Sequence, residues 1–137
     1  MDSITLKRSV TVQVIVTEGF KQELIAELRE AAEATQRRID QIEFQGRQVL
    51  ADLQRTDLTQ AMSVRRQIET EKRRHEALRQ DVLRQLQEAE KLQLGDEFQQ
   101  GALEGIVEVR AGDDLAKKLA GAEIVIKDGI IIEMREV

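Results

Sequence analysis

IAELREAAEATQRRI, residues 25–39, and LRQDVLRQLQEAEKL, residues 78–92, decide how this chain is built. In the first, Ile25, Leu28, Ala32, Thr35 and Ile39 recur at alternating steps of three and four, and the series continues through Ile42, Gly46, Val49 and Leu53. In the second, Leu78, Val82, Gln85, Ala89 and Leu92 recur in mirrored phase, and the series reaches back through His75, Glu71, Ile68 and Val64. Paired from the centre outward, Leu53 with Val64 through to Ile25 with Leu92, every pair of residue numbers has the same sum. Two helices running antiparallel around one seam require that symmetry. Flanking positions agree: Glu43 falls opposite Lys72 and Arg38 opposite Asp81, with no like-charged pair. Such pairs specify register more than they stabilise, at ~0–1 kcal/mol each.

The same symmetry would suit one unbroken helix paired antiparallel with a second copy. The intervening Arg55-Thr56-Asp57-Leu58-Thr59-Gln60 holds no Gly or Pro. The apolar phase slips there, however, leaving Thr56, Asp57, Gln60 and Ser63 where a continued seam would fall, and Asp57 and Thr59 are good N-caps. A hairpin within one chain is therefore expected, with helices from about Phe20 to Thr56 and from near Thr59 to Leu94, stopped by Gly95.

Outside the ladder the period changes to two. Val10, Val12, Val14 and Val16 alternate with polar residues, as a strand with one buried face requires, and Thr17 can cap the helix that follows. Glu97 to Leu103 and Glu104 to Arg110 read as two further strands, with Gly101 and Gly105 marking bulges or bends. Asp113-Asp114 to Gly121 reads as a short capped helix. Residues 123–127 and 130–134 flank Asp128-Gly129, a type I′ hairpin signal. The expected fold is α+β: a small antiparallel β domain (open barrel or sheet) from residues 1–19 and 95–137, and a long antiparallel coiled-coil helical hairpin, residues 20–94, inserted after the first strand.

The strand Val-Thr-Val-Gln-Val-Ile-Val-Thr before a long helix, together with Leu94-Gly95-Asp96-Glu97, Val107-Glu-Val-Arg-Ala-Gly-Asp113 and Glu123-Ile-Val-Ile-Lys-Asp-Gly-Ile130, is similar to the YlqD family of bacterial proteins. The likeness covers the whole layout, but its specific part is the terminal β segments. It implies a cytoplasmic bacterial protein, and it brings no assigned activity and no catalytic residues.

Composition narrows the function classes. The chain has 137 residues, 34% of them charged, with three Phe and no Trp, Tyr, Cys or Pro. Disulfides, thiolate metal sites and cysteine nucleophiles are excluded, and so few rings favour long thin packing over a globule. No run approaches the ~20 apolar residues that span a bilayer and nothing resembles a signal peptide, so a cytoplasmic location without membrane partners is expected. The net charge of −5 is uneven: the C-terminal segment is acidic, while the outer part of the hairpin is mildly basic.

Several residues are candidates for function. His75, the sole histidine, stands one turn from Glu71. The two suit an acid–base pair, but a polar seam layer of Gly46, Glu71 and His75 that fixes register is the stronger reading, with Gly46 leaving room for Glu71. Arg65, Arg66, Lys72, Arg73 and Arg74 form the densest basic cluster and could meet RNA phosphates. Interleaved Glu69, Glu71 and Glu76 and the lack of stacking aromatics favour a solvated face instead. Asp96, Asp113, Asp114 and Asp128 fit turn and capping roles and no metal-ligand spacing, no nucleotide-binding glycine pattern occurs, and no serine has an evident base. No catalytic residue, cofactor or metal is expected. Phe44, Leu50, Leu83 and Leu86 fall outside the two-helix seam and argue for further packing. The leading expectation is a non-enzymatic interaction or scaffold protein that forms homo-oligomers or meets another protein. An RNA- or ribosome-associated factor is the alternative, and a clamp holding unfolded clients through Phe44 and Leu83 a third reading.

Overall fold

The computed structural model describes residues 1–136. In chain order it contains β1 (Ile4–Ile15), α1 (Glu18–Thr56), α2 (Leu58–Glu90), β2 (Glu97–Val109), α3 (Leu115–Leu119), β3 (Ala122–Lys127) and β4 (Ile130–Glu136). They form two compact units, one from residues 1–21 and 92–137, the other from residues 22–91.

The first unit is a four-stranded sheet in the order β2-β1-β3-β4. It is mixed, not wholly antiparallel as expected, and it is not a closed barrel. β1 pairs antiparallel with β2 but parallel with β3. The reason lies in where the chain is delivered. β2 ends with Val109 opposite Ile4, at the start of β1. Residues 110–121, part of them helical in α3, then carry the chain only as far as Val10, beside which β3 begins at Ala122. From there β3 runs alongside β1 in the same direction, to Ile126 beside Val14.

β2 is one strand where two were expected. The ladder absorbs its irregularity at a bulge, because Val12 faces Gly101 while Gln13 faces Gln99, leaving Gln100 unpaired in the register. Gly105 serves packing instead: a Cβ there would stand 3.3 Å from Val10 Cγ2. At the β3–β4 turn, Asp128 (φ 50°) and Gly129 (φ 80°) are both left-handed, as a type I′ hairpin demands. Val12, Val14, Val16 and Val125 are the buried apolar residues of this unit.

The second unit is the helical hairpin. The Thr17 hydroxyl accepts from Phe20 N–H at 3.2 Å and caps α1, which begins two residues earlier than expected. α2 begins at Leu58 because Asp57, extended at φ −155°, accepts from Gln60 N–H. Asp57, not Thr59, is therefore the cap that breaks the helix. α2 also stops short of Gly95, at Glu90. The residues that follow serve the sheet: Val16 N–H donates to Asp96 O and Gly95 N–H to Val16 O, both at 2.8 Å, extending the β1–β2 ladder beyond its last strand pair. Gly95, at φ +93°, is the turn into β2. Ala32, Ile39, Ile42, Ala61 and Ala89 are buried along the hairpin, with Thr35, whose hydroxyl donates to the Ala31 carbonyl at 2.8 Å and so needs no partner across the seam.

Candidate functional site

The hairpin carries most of the residues singled out from the sequence, and its two flanks differ. On one flank Lys72 Nζ meets Glu43 Oε1 at 2.7 Å, the pair expected from the mirrored register. Glu43 raises the Lys72 pKa, first through this hydrogen bond and then through its charge. Around this pair lies a groove of about 300 Å³ whose other charged walls are Arg47, Arg65 and Glu69. This flank is ionic.

The opposite flank of the same layer is a groove of about 270 Å³ floored by Ile42, Gly46, Val49, Val64 and Ile68. Gln45 and Gln67 stand on its two walls, and Arg38 and Glu71 are its only charged lining residues. Glu71 lies 3.9 Å from Arg74. The seam is not closed here: Val49 remains 46% exposed and, further along, Leu78 52% exposed, although the heptad pattern assigns both to the interior.

The polar layer expected from Gly46, Glu71 and His75 is arranged differently. A Cβ on Gly46 would lie 2.8 Å from Ile68 Cδ1, so the space beside the glycine belongs to Ile68 and not to Glu71. The sequence pairs Gly46 with Glu71 by level alone. It misses that a branched side chain three residues earlier leans into the gap. His75 Nδ1 sits 2.9 Å from the Glu71 carbonyl one turn back. A carbonyl only accepts, so Nδ1 carries the proton and the ring is tied to its own helix.

The basic residues do not share a face. At about 100° per residue, Arg65 and Lys72 project together, Arg66 and Arg73 about a quarter-turn away, and Arg74 nearly opposite the first two. Lys72 is held by Glu43, while Arg73 and Arg74 have Glu69 and Glu71 at 3.9 Å. Of the apolar residues expected outside the seam, Phe44 is 58% exposed, whereas Leu50, Leu83 and Leu86 are half-buried. All four belong to the hairpin but not to the neutral groove, which no sequence signal named. The loop aspartates perform local tasks: Asp96 accepts from Gln93 N–H, Asp113 from Arg110 N–H, Asp114 from Lys117 N–H, and Asp128 from the Thr17 hydroxyl.

In the sheet unit the densest polar cluster surrounds Arg135. Its guanidinium contacts Glu97 at 2.7 Å and Glu133 at 3.0 Å, with Glu123 at 3.9 Å, and Gln13 donates to Glu123 at 3.0 Å. Arg135 holds the carboxyls of Glu97 and Glu133 below their usual range, chiefly by hydrogen bonding. Glu97 and Glu133 in turn push the arginine further up. One guanidinium thus serves three carboxylates, and the cluster stays net acidic. Among the described residues no group of three or more His, Asp or Glu side chains could hold a metal ion, and no helix is long and apolar enough to cross a membrane.

A mixed four-stranded sheet and a long helical hairpin spliced between its first and second strands define an α+β class. The chain belongs to the YlqD family, whose model matches residues 4–135. It is similar to the uncharacterised YlqD protein of Bacillus subtilis strain 168, at 31% identity over 127 residues, which covers 93% of this chain and 94% of that one. It also resembles a crystal structure of a protein of unknown function from Synechococcus sp. WH 8102, with a TM-score of 0.90 and 25% identity over 98% of this chain and 95% of the other. The fold is thus shared, and the function of the family is unknown.

Proposed function

We propose that this is a non-enzymatic, cytoplasmic interaction protein that self-associates. The observation that carries the reading is the unfinished helical seam: Val49 and Leu78 stand half in solvent together with Phe44, on helices whose repeat exists to bury such residues. The sheet unit adds exposed apolar side chains of its own, Leu103, Ile131, Ile132 and Met134. Large apolar side chains left in solvent in this number favour contact surfaces over a fully solvated role. Against catalysis stands the commitment of the titratable groups, His75 to a backbone carbonyl and Arg135 to its carboxylates. Against RNA contact through Arg65, Arg66, Lys72, Arg73 and Arg74 stands their spread around the helix and the acid paired with three of them.

Sedimentation equilibrium of the full chain across a hundredfold range of concentration tests the reading. The expected result is a mass above that of one chain, falling toward it on dilution. A single-chain mass throughout would overturn self-association.

A further inference from the structure

We infer that the neutral groove at the Gly46–Ile68 layer is the face on which a second copy of this chain docks, hairpin against hairpin. The inference rests on the self-associating reading and assigns it a surface.

Three observations select this groove over the rest of the molecule. The first is its floor, because above the buried Ile42 the seam residues Val49, Val64 and Ile68 are left partly uncovered by the two helices. The second is continuity. The groove shares Gln67 and Glu71 with a further hollow lined also by Ser63, Arg66, Thr70 and Arg74, so an approaching helix would meet a trough and not an isolated pit.

The third is charge, and it identifies the occupant. The ionic flank presents Glu43, Arg47, Arg65, Glu69 and Lys72 around the same layer, while the groove itself presents Gln45 and Gln67 with only Arg38 and the ion-paired Glu71, the arginines Arg66 and Arg74 lying in the adjoining hollow. In a twofold contact each residue meets the same patch on the other subunit. A row of one charge would therefore repel itself. Glutamine carries both a donor and an acceptor and can bond its own copy, and charged groups are depleted from interface centres generally. A surface that is apolar at the bottom and donor–acceptor balanced along its walls is complementary to itself. Two hairpins joined in this way bury four helical stripes, the arrangement of a four-helix bundle.

Two double variants test this in the full chain, Gln45→Glu with Gln67→Glu and Gln45→Lys with Gln67→Lys. Both positions lie on exposed helix surface, so helicity by circular dichroism should match wild type. Each variant alone should sediment as a single chain, because like charges then face each other across the twofold. An equimolar mixture of the two should recover the wild-type mass, which misfolded chains could not do. Gln80→Glu, on the other flank, should leave the mass unchanged. If wild type is a single chain at every concentration, the self-associating reading itself fails. If wild type associates and both double variants still do, self-association stands and the groove assignment falls. Loss of association on Met134→Glu in the sheet in that case would move the contact to the sheet unit. Failure of the mixture to recover mass would equally overturn docking through this face.

Discussion

Gly46 shows how one residue can oppose local propensity for the sake of packing. Alanine is better than glycine inside a helix by about 1 kcal/mol, yet its Cβ would sit 2.8, 3.2 and 3.3 Å from three atoms of Ile68. Ile68 is β-branched and its χ1 is nearly fixed in a helix, so although Cδ1 can turn away about χ2, Cγ2 and Cγ1 stay at 3.2 and 3.3 Å. Gly46→Ala alone should therefore lower the urea midpoint. In an Ile68→Ala background the same substitution should raise stability by roughly 1 kcal/mol, the propensity difference now unopposed. A gain in both backgrounds would show that Ile68 does not claim the space. Asp57 is the complementary case, a residue retained for a single hydrogen bond to Gln60 N–H. Its replacement by Ala should cost ~1 kcal/mol, the usual worth of an N-cap, read from the same denaturation curves.

At the scale of elements, the sheet depends on a contact between its edges. Arg135 lies on β4 and Glu97 on β2, at opposite ends of the strand order, yet they meet at 2.7 Å. Adjacent strands are about 4.8 Å apart, so a flat sheet would hold these residues too far apart for contact. The sheet must curl toward the face that carries Arg135, and Val125 beneath is fully buried. Glu97 and Glu133 are both easier to deprotonate in the folded protein than in the unfolded chain. Their contribution is complete above the unfolded value of about 4.3 and fades as pH falls through the lower folded values. Arg135→Gln should therefore reduce stability at neutral pH and flatten the acid limb of the midpoint-versus-pH curve below about pH 4. An unchanged acid limb would mean that the cluster is solvated and idle. The hairpin and the Asp128-Gly129 turn were legible in the sequence because each is encoded locally, by period, cap or positive-φ residue. The parallel β1–β3 pairing was not, since it depends on where β2 delivers the chain, a non-local fact. Leu78 misled for a similar reason: a heptad names the residues that can share a seam, not how far each helix is rotated toward its neighbour.

For the whole molecule, the uneven charge and the open groove lead to a thermodynamic consequence. The acidic excess lies in the sheet unit's C-terminal segment, and the neutral groove lies on the hairpin. A chain that associates only when folded is stabilised by mass action, because the unfolded chain offers no competing dimer. Thermal unfolding of wild type should then move to higher temperature as protein concentration rises, while Gln45→Glu with Gln67→Glu should unfold at a temperature independent of concentration. At high dilution the two should converge, since the substitutions sit on exposed surface and touch only the dimer. Convergence separates a lost contact from a damaged fold: a variant that remained less stable at every concentration would place Gln45 and Gln67 in the architecture of the hairpin and not in its association.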